Sequence, residues 1–235
     1  MNLLITICAR KGSKGLPNKN LLPLNNIPLI VYSINIAKKF AKLYDADIAI
    51  SSDDIRIIKT GIIEGLTVPY KRPSSLAKDS TGKIETIRHV LNYYSKKNNK
   101  LYDFVLDLDV SSPLRTLEDL NKAFSILRKN KHAYNIFSVS EASRNPYFNM
   151  VEKKRDGYFD LVKKGKYLSR QSAPDVYDMN ASFYFYSKLF FQKDFKRSTT
   201  DRSLIYIMPN ICFDIDNKID FEYMEFIIKN KKVKI

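Results

Sequence analysis

Two cysteines, two histidines, seven glycines and no tryptophan leave this chain of 235 residues short of several kinds of chemistry. Cys8 and Cys212 stand far apart on segments expected to be strands, so neither a disulfide framework nor a metal-ligand spacing can be built from them. Both read as small buried apolar side chains. His89 and His132 fall in helical patterns with no cysteine or carboxylate ligand set around them, which argues against histidine-centred catalysis. No apolar run approaches the length that crosses a bilayer, and Met1 to Ala9 carries no basic leader. A cytoplasmic protein without a membrane partner is therefore expected. Internal repeats are lacking, and the lysine-rich end is the one biased tract.

Acid is scarce relative to base. Forty Lys and Arg against 25 Asp and Glu give a net charge of +15. Such an excess invites a nucleic-acid reading. The cations are scattered, however, in segments such as Lys96-Lys97, Lys153-Lys154-Arg155 and Lys229 to Lys234, rather than gathered on one expected face. No nucleic-acid partner is expected; a lysine-rich surface attracts small polyanions just as well.

What is present is a large apolar stock, 44% hydrophobic with 14 Phe and 15 Tyr, enough for a substantial core. Strand and helix patterns alternate through the first half. Strands are expected at Leu3–Cys8, Asp47–Ser51, Thr67–Tyr70, Phe104–Leu108 and Asn135–Val139. Helices are expected at Pro28–Tyr44, Asp53–Glu64, Lys83–Lys96 and Leu117–Lys129. Continuous apolar strands between amphipathic helices indicate an α/β fold, a Rossmann-like, mostly parallel sheet with helices on both faces. From Ser143 to Met179 the pattern breaks into polar and aromatic sequence with weak alternation at Tyr147–Val151 and Tyr158–Val162. This segment reads as a strand-rich insertion, either a subunit interface or a covering flap. The α/β domain would then be residues 1–142 and 180–235, resuming with strands at Ala181–Tyr186 and Leu204–Met208 and closing with a helix at Phe221–Ile228.

Chemistry concentrates in a few places. Ala9-Arg-Lys-Gly-Ser-Lys-Gly-Leu-Pro-Asn-Lys-Asn20 leaves the end of the first strand carrying Arg10, Lys11, Lys14 and Lys19. Gly12 and Gly15 let the backbone approach a ligand closely. The loop has neither the P-loop spacing nor that of a dinucleotide fingerprint. It reads as an anion-binding loop, with a solvated basic loop as the bland alternative. In Cys212-Phe-Asp-Ile-Asp216 two carboxylates alternate along an expected strand end. They suit Mg²⁺ held against phosphates, unless one of them, or Asp220, caps the next helix. Asp107-Leu-Asp-Val-Ser-Ser-Pro-Leu-Arg115 places Asp109, Ser111, Ser112 and Arg115 on a loop suited to reading a base or sugar, or simply ends a strand. Arg72 after the third expected strand, and Arg170-Gln171 with Asn180, could clamp a carboxylate or phosphate, although lone arginines more often serve surface ion pairs.

Together with Arg72-Pro73, Leu76-Ala77-Lys78-Asp79, Ser112-Pro-Leu-Arg115 and Arg170-Gln171, these motifs resemble the acylneuraminate cytidylyltransferase family, which makes CMP-sialic acid and CMP-legionaminic acid. They run in family order across nearly the whole chain. The first motif separates it from Kdo cytidylyltransferases and sugar-1-phosphate nucleotidyltransferases. The resemblance implies an enzyme joining CTP to a nonulosonic acid and releasing pyrophosphate, with Mg²⁺ as cofactor and a homodimer as the working form. It implies Ala9, Arg10, Gly12, Ser13, Lys14, Lys19, Asn20 and Arg72 on the nucleotide, with Arg10, Lys14, Lys19 and Asp214 serving catalysis. Asp214 and Asp216 would hold the metal. Asp109, Ser111, Arg170, Gln171, Asn180 and Tyr184 would lie toward the acceptor sugar. The proton acceptor stays open between a carboxylate and a metal-bound hydroxide. Two departures stand out: Asp109 where sialic acid enzymes usually show Gln, and Asp178 where many show Arg. An altered polar substituent follows from extra carboxylates there, so a legionaminic-type 5,7-diamino acceptor is expected, with sialic acid or a non-catalytic anion binder as alternatives.

Overall fold

In the computed structural model, residues 1–12 and 15–233 are described. The chain order is β1 (Leu3–Cys8), β2 (Pro23–Leu24), β3 (Ile27–Pro28), α1 (Leu29–Tyr44), β4 (Asp47–Ser51), α2 (Ile55–Ile63), α3 (Lys83–Asn98), β5 (Phe104–Leu108) and α4 (Leu117–Lys129). Then come β6 (Asn135–Glu141), β7 (Val151–Lys153), β8 (Phe159–Leu161), β9 (Tyr177–Ser187), α5 (Lys188–Gln192), β10 (Ser203–Ile207) and α6 (Lys218–Lys229). Six strands form one sheet in the order β10-β6-β9-β5-β1-β4, with β9 antiparallel to both neighbours and the rest parallel.

Both faces of the central strands are buried because both phases of β1, β5 and β9 are largely apolar. Leu3, Ile5 and Ile7 of β1, Leu106 and Leu108 of β5, and Phe183 and Phe185 of β9 pack with α1, α4 and α6. Leu4, Val105, Tyr184 and Tyr186 point the other way, onto α3 and α5. Phe124 stacks on Phe185 with ring centroids 5.0 Å apart. Local chemistry sets the helix starts. Thr116 and Asp119 close a capping box on α4, and Asn217 and Asp220 do the same on α6. Asp54 caps α2 by accepting from the Arg56 amide.

Four expectations need correction. Thr67–Tyr70 forms no strand: Pro69 lacks the amide a ladder needs, and β4 remains the sheet edge. Cys212–Asp216 is an extended loop rather than a strand, since β10 ends at Ile207 just before Pro209. His132 sits in the turn beyond α4 rather than in a helix. The return strand β9 begins at Tyr177, four residues before Ala181, so the insertion pairs with the main sheet earlier than its sequence suggests. Inside the insertion, β7 and β8 form a separate two-stranded hairpin.

β9 also carries an irregularity. Its register against β6 shifts between Phe137 and Val139, and Ala181 takes φ +58°, the left-handed region. The Asn180 side chain holds this bulge. Its Oδ1 accepts from Ser138 Oγ at 2.6 Å and from the Ser182 amide at 3.3 Å, while Nδ2 donates to Ser140 Oγ at 2.9 Å.

Candidate active site

Parallel strands put their carboxyl ends at one edge, and α/β sheets bind ligands there, where the strand order reverses. From β1 the chain goes to β4 on one side and then returns to β5 on the other, so the reversal lies beside β1. The loop after β1, the stretch Arg72–Lys83, the loop after β5 and the loop after β10 all leave that edge.

Arg10 pairs with Asp79, and its carbonyl accepts from Asn20 Nδ2 at 3.0 Å, which closes the loop on itself. The Ala9 amide is engaged by the Ser51 carbonyl at 2.9 Å. Lys11 donates its amide to Asp53 Oδ1 at 2.9 Å. Gly12 has open space where a Cβ would stand, whereas a Cβ on Gly15 would meet the Asp216 carbonyl oxygen at 2.0 Å. Gly15 therefore permits a close approach to the protein's own backbone, which joins the cationic loop to the aspartate segment. Lys19 crosses the same junction: its Nζ donates to the Ile215 carbonyl and lies 3.4 Å from Asp216 Oδ1. Ser13 and Lys14 lie outside the described residues.

The aspartate segment is fixed from below as well. The Ile215 amide donates to the Ser111 carbonyl at 2.9 Å, and Ser140 Oγ to the Cys212 carbonyl at 3.2 Å. Asn217 and Asp220 perform the capping of α6, which leaves the Asp214 and Asp216 carboxylates out of that role. Burial, and next the charge of Asp216, raise the Asp214 carboxyl above its ordinary value. A cation beside the pair would favour the charged form of Asp214 again. Among the described residues no group of three or more His, Cys, Asp or Glu is arranged to hold a metal. Two carboxylates completed by substrate oxygens and water still suit Mg²⁺, and these residues fit it.

A cavity of about 240 Å³ opens beside β1, lined by Cys8, Arg10, Arg72, Thr81, Lys83 and Asp109 among others. Arg72 is buried, with Nε donating to Ser51 Oγ at 3.0 Å and Nη2 to the Ser51 carbonyl at 2.9 Å. Burial, and then Asp107, push the Cys8 thiol up to about 12, so it stays protonated and is no nucleophile. Asp109 lines this cavity rather than the one around Arg170. Its Oδ1 accepts from the Ser111 amide at 2.9 Å and Ser111 Oγ at 2.7 Å, and its Oδ2 from Lys83 Nζ at 2.7 Å. Burial alone would raise this carboxyl, but Lys83 and the Ser111 hydrogen bonds outweigh it and hold it far below the ordinary range. Its oxygens are thus engaged within the protein.

Arg115 is structural. Fully enclosed, it donates to the carbonyls of Asp109, Ser112 and Ser182 and to Ser33 Oγ, at 2.5 to 3.0 Å. Burial lowers it to about 10. Tyr184 is buried beneath Lys83, and Asn180 is absorbed in the bulge. Arg170 and Gln171 line a separate cavity of about 480 Å³ with Glu141, Asn145, Asp175 and Tyr177, where Arg170 Nη2 donates to the Ala142 carbonyl at 2.6 Å. Asp178 faces elsewhere, into an apolar groove with Arg144 and Met150.

Sequence reasoning missed Lys83. One signal was available: a lysine at the first position of a helix sits where the helix dipole favours acid. Gly15 was noticed, but its partner Asp216 is 201 residues away and invisible to local pattern.

A family model described as Cytidylyltransferase matches residues 4–234. The chain is 38% identical over 232 residues to the post-translational flagellin modification protein B of Campylobacter coli, covering 99% of this chain and 97% of that protein. It is 36% identical over 231 residues to the CMP-N,N'-diacetyllegionaminic acid synthase of Campylobacter jejuni, covering 98% and 97%. A pseudaminic acid cytidylyltransferase of Campylobacter jejuni is 29% identical over 234 residues, covering 97% of each. The solved structure of a CMP:2-keto-3-deoxy-manno-octonic acid synthetase complexed with CTP shares the fold, with a TM-score of 0.69 at 15% identity over 98% of this chain and 100% of that one.

Proposed function

The chain belongs to the cytidylyltransferase family, and from that premise we propose that it joins CTP to a nonulosonic acid of the legionaminic type, releasing pyrophosphate and the CMP-sugar. The observation that carries this reading is the junction of Lys19 and Gly15 with Asp214–Asp216, which sets a cationic loop against a carboxylate pair at the strand-order reversal. Anionic phosphates need the first, and a divalent cation on those phosphates needs the second.

In this mechanism Arg10 and Lys19, with Ser13 and Lys14 completing the loop, bind the triphosphate and spread its charge. The anomeric hydroxyl of the sugar attacks the α-phosphorus, the bond to the bridging oxygen breaks, and pyrophosphate departs with the electron pair. Positioning and electrostatics supply the rate. Asp214 and Asp216 would hold Mg²⁺, which polarises the phosphate and offsets charge on the leaving group.

Arg170, with Gln171 and Asn145 beside it, suits the acceptor's carboxylate, and Glu141 and Asp175 on the same cavity suit two acylamino N–H groups. Relatives named for legionaminic and pseudaminic acids support a diamino acceptor. A homodimer accords with the apolar face formed by Met150, Val176, Tyr177, Met179 and Ile205, which a second copy would cover. A cytoplasmic location accords with the need for CTP; among the described residues no helix is long and apolar enough to cross a membrane.

The test is pyrophosphate release from CTP and Mg²⁺ with legionaminic, sialic and Kdo acceptors side by side. Release with the legionaminic acceptor at a rate at least about tenfold above the other two is expected. Clear preference for sialic acid, or release with none of the three, overturns the legionaminic-type acceptor.

A further inference from the structure

Lys83 is a cation placed against local preference and then held there by three partners. Its Nζ lies 2.7 Å from Asp109 Oδ2, 2.8 Å from Asp107 Oδ2 and 4.8 Å from the centroid of the Tyr184 ring. Asp107 is fully buried, and its other oxygen accepts from Thr6 Oγ1 at 2.7 Å. Among the described residues Asp107 Oδ2 has no hydrogen-bond partner, so its contact with Lys83 is an ion pair without hydrogen-bond geometry. The ammonium carries three protons. One is committed to Asp109, and at least one remains for the cavity that Lys83 lines with Arg72 and Thr81. A cation gripped by two carboxylates neither swings away nor gives up its proton. Lys83 is therefore a fixed donor with no capacity to accept.

We propose that Lys83 selects cytosine over uracil, donating its remaining N–H to the O2/N3 edge of the base; the inference rests on CTP being the nucleotide. The cavity of about 240 Å³ suits a pyrimidine nucleoside and adjoins the cationic loop through Arg10. Cytosine presents two adjacent acceptors at O2 and N3. Uracil keeps O2 but carries an N–H at position 3, which points a donor at an ammonium that cannot turn. A site built around a fixed donor rejects the analogue that cannot accept from it, because the donor is left unpaired. Two carboxylates, Asp107 fully buried and Asp109 at the cavity wall, serve one lysine because together they fix where its free proton points.

The experiment compares kcat/KM for CTP, UTP and 3-deaza-CTP, in which N3 is replaced by C–H, with melting temperatures recorded for every protein. The native chain is expected to favour CTP over both analogues by ~30-fold or more. Lys83→Met should lose most of that preference, through a fall with CTP that UTP does not share. The double variant Lys83→Met with Asp107→Asn removes the fully buried carboxylate that Lys83 leaves without a cation and guards against a variant that does not fold. Equal use of CTP and 3-deaza-CTP by the native chain overturns the proposal without any variant, as does an unchanged CTP-to-UTP ratio in a folded variant. Absence of CTP-dependent stabilisation in the native chain is a different result: it overturns the functional reading on which the proposal rests.

Discussion

The edge of the sheet around β1 and the insertion at residues 143–179 are built on opposite plans. At the edge each segment is tied to another that is remote in sequence. Gly15 abuts Asp216, Lys19 reaches Ile215, Ile215 hangs from Ser111, and Arg115 gathers Asp109, Ser112 and Ser182. In the hairpin of the insertion the bonds are local: Lys154 receives the hydrogen bond of its own turn from Gly157, and Lys154 pairs with Asp160 at 3.2 Å. Tyr158, Phe159 and Leu168 stand exposed there, Leu168 at 96%. One region is finished within a single chain. The other displays apolar side chains that, among the described residues, no part of the same chain covers.

The largest effect should come from breaking the finished region at its charge. Asp214→Asn removes one of the two carboxylates proposed to hold Mg²⁺, and turnover of CTP is expected to fall by ~10³-fold with the melting temperature little changed. Pyrophosphate release checks this; retention of a large share of the activity would place the metal elsewhere. Arg115→Met attacks the same region through its scaffold. Three buried carbonyls and Ser33 Oγ lose the guanidinium donor together, each carbonyl keeping one other donor, and stability should drop by about 3 kcal/mol in urea denaturation. A loss below about 1 kcal/mol would mean that water replaces the guanidinium.

The apolar groove between the insertion and β10 is probed by adding charge. Ile205→Asp with Met179→Asp places two carboxylates on the apolar groove, where both residues are partly exposed. If a second copy covers that face, the dimer's Kd in sedimentation should rise ~100-fold while CTP binding persists. An unchanged sedimentation profile would assign the groove to another role.

Much of this contrast was legible in sequence. The alternation of apolar strands with amphipathic helices located β1, β4, β5 and α4 to within a residue, because both sheet faces demand apolar side chains. The cationic loop and the aspartate pair were visible as motifs. What was hidden is contact between distant segments. Nothing near Arg115 says that its guanidinium will be enclosed by carbonyls of its own loop and of the distant β9, so a buried scaffold residue looked like a surface reader of ligand. Asp109 was likewise read as a free carboxylate, because Lys83, which occupies it, lies on another element. The strand expected at Thr67–Tyr70 failed for a reason that was visible, the missing amide of Pro69.

The finest test of how tightly the edge is finished lies at Ala181, the bulge residue beside Asn180. Its φ of +58° costs an L-residue roughly 1–2 kcal/mol, which glycine does not incur. Glycine in turn enlarges the unfolded ensemble, an opposing effect of about 0.4–1 kcal/mol. Ala181→Gly should therefore stabilise the fold by only ~0.5 kcal/mol, a shift of a degree or two in melting temperature. The bulge is also held by Asn180, whose amide engages Ser138, Ser140 and Ser182, so relief of backbone strain need not loosen it. Unaltered kcat/KM alongside the small gain in stability would show that side-chain hydrogen bonds alone set the bulge. A fall in kcat/KM with the stability gain intact would show that the strained alanine itself restricts the strand to its working shape, and that the strain is kept for that reason.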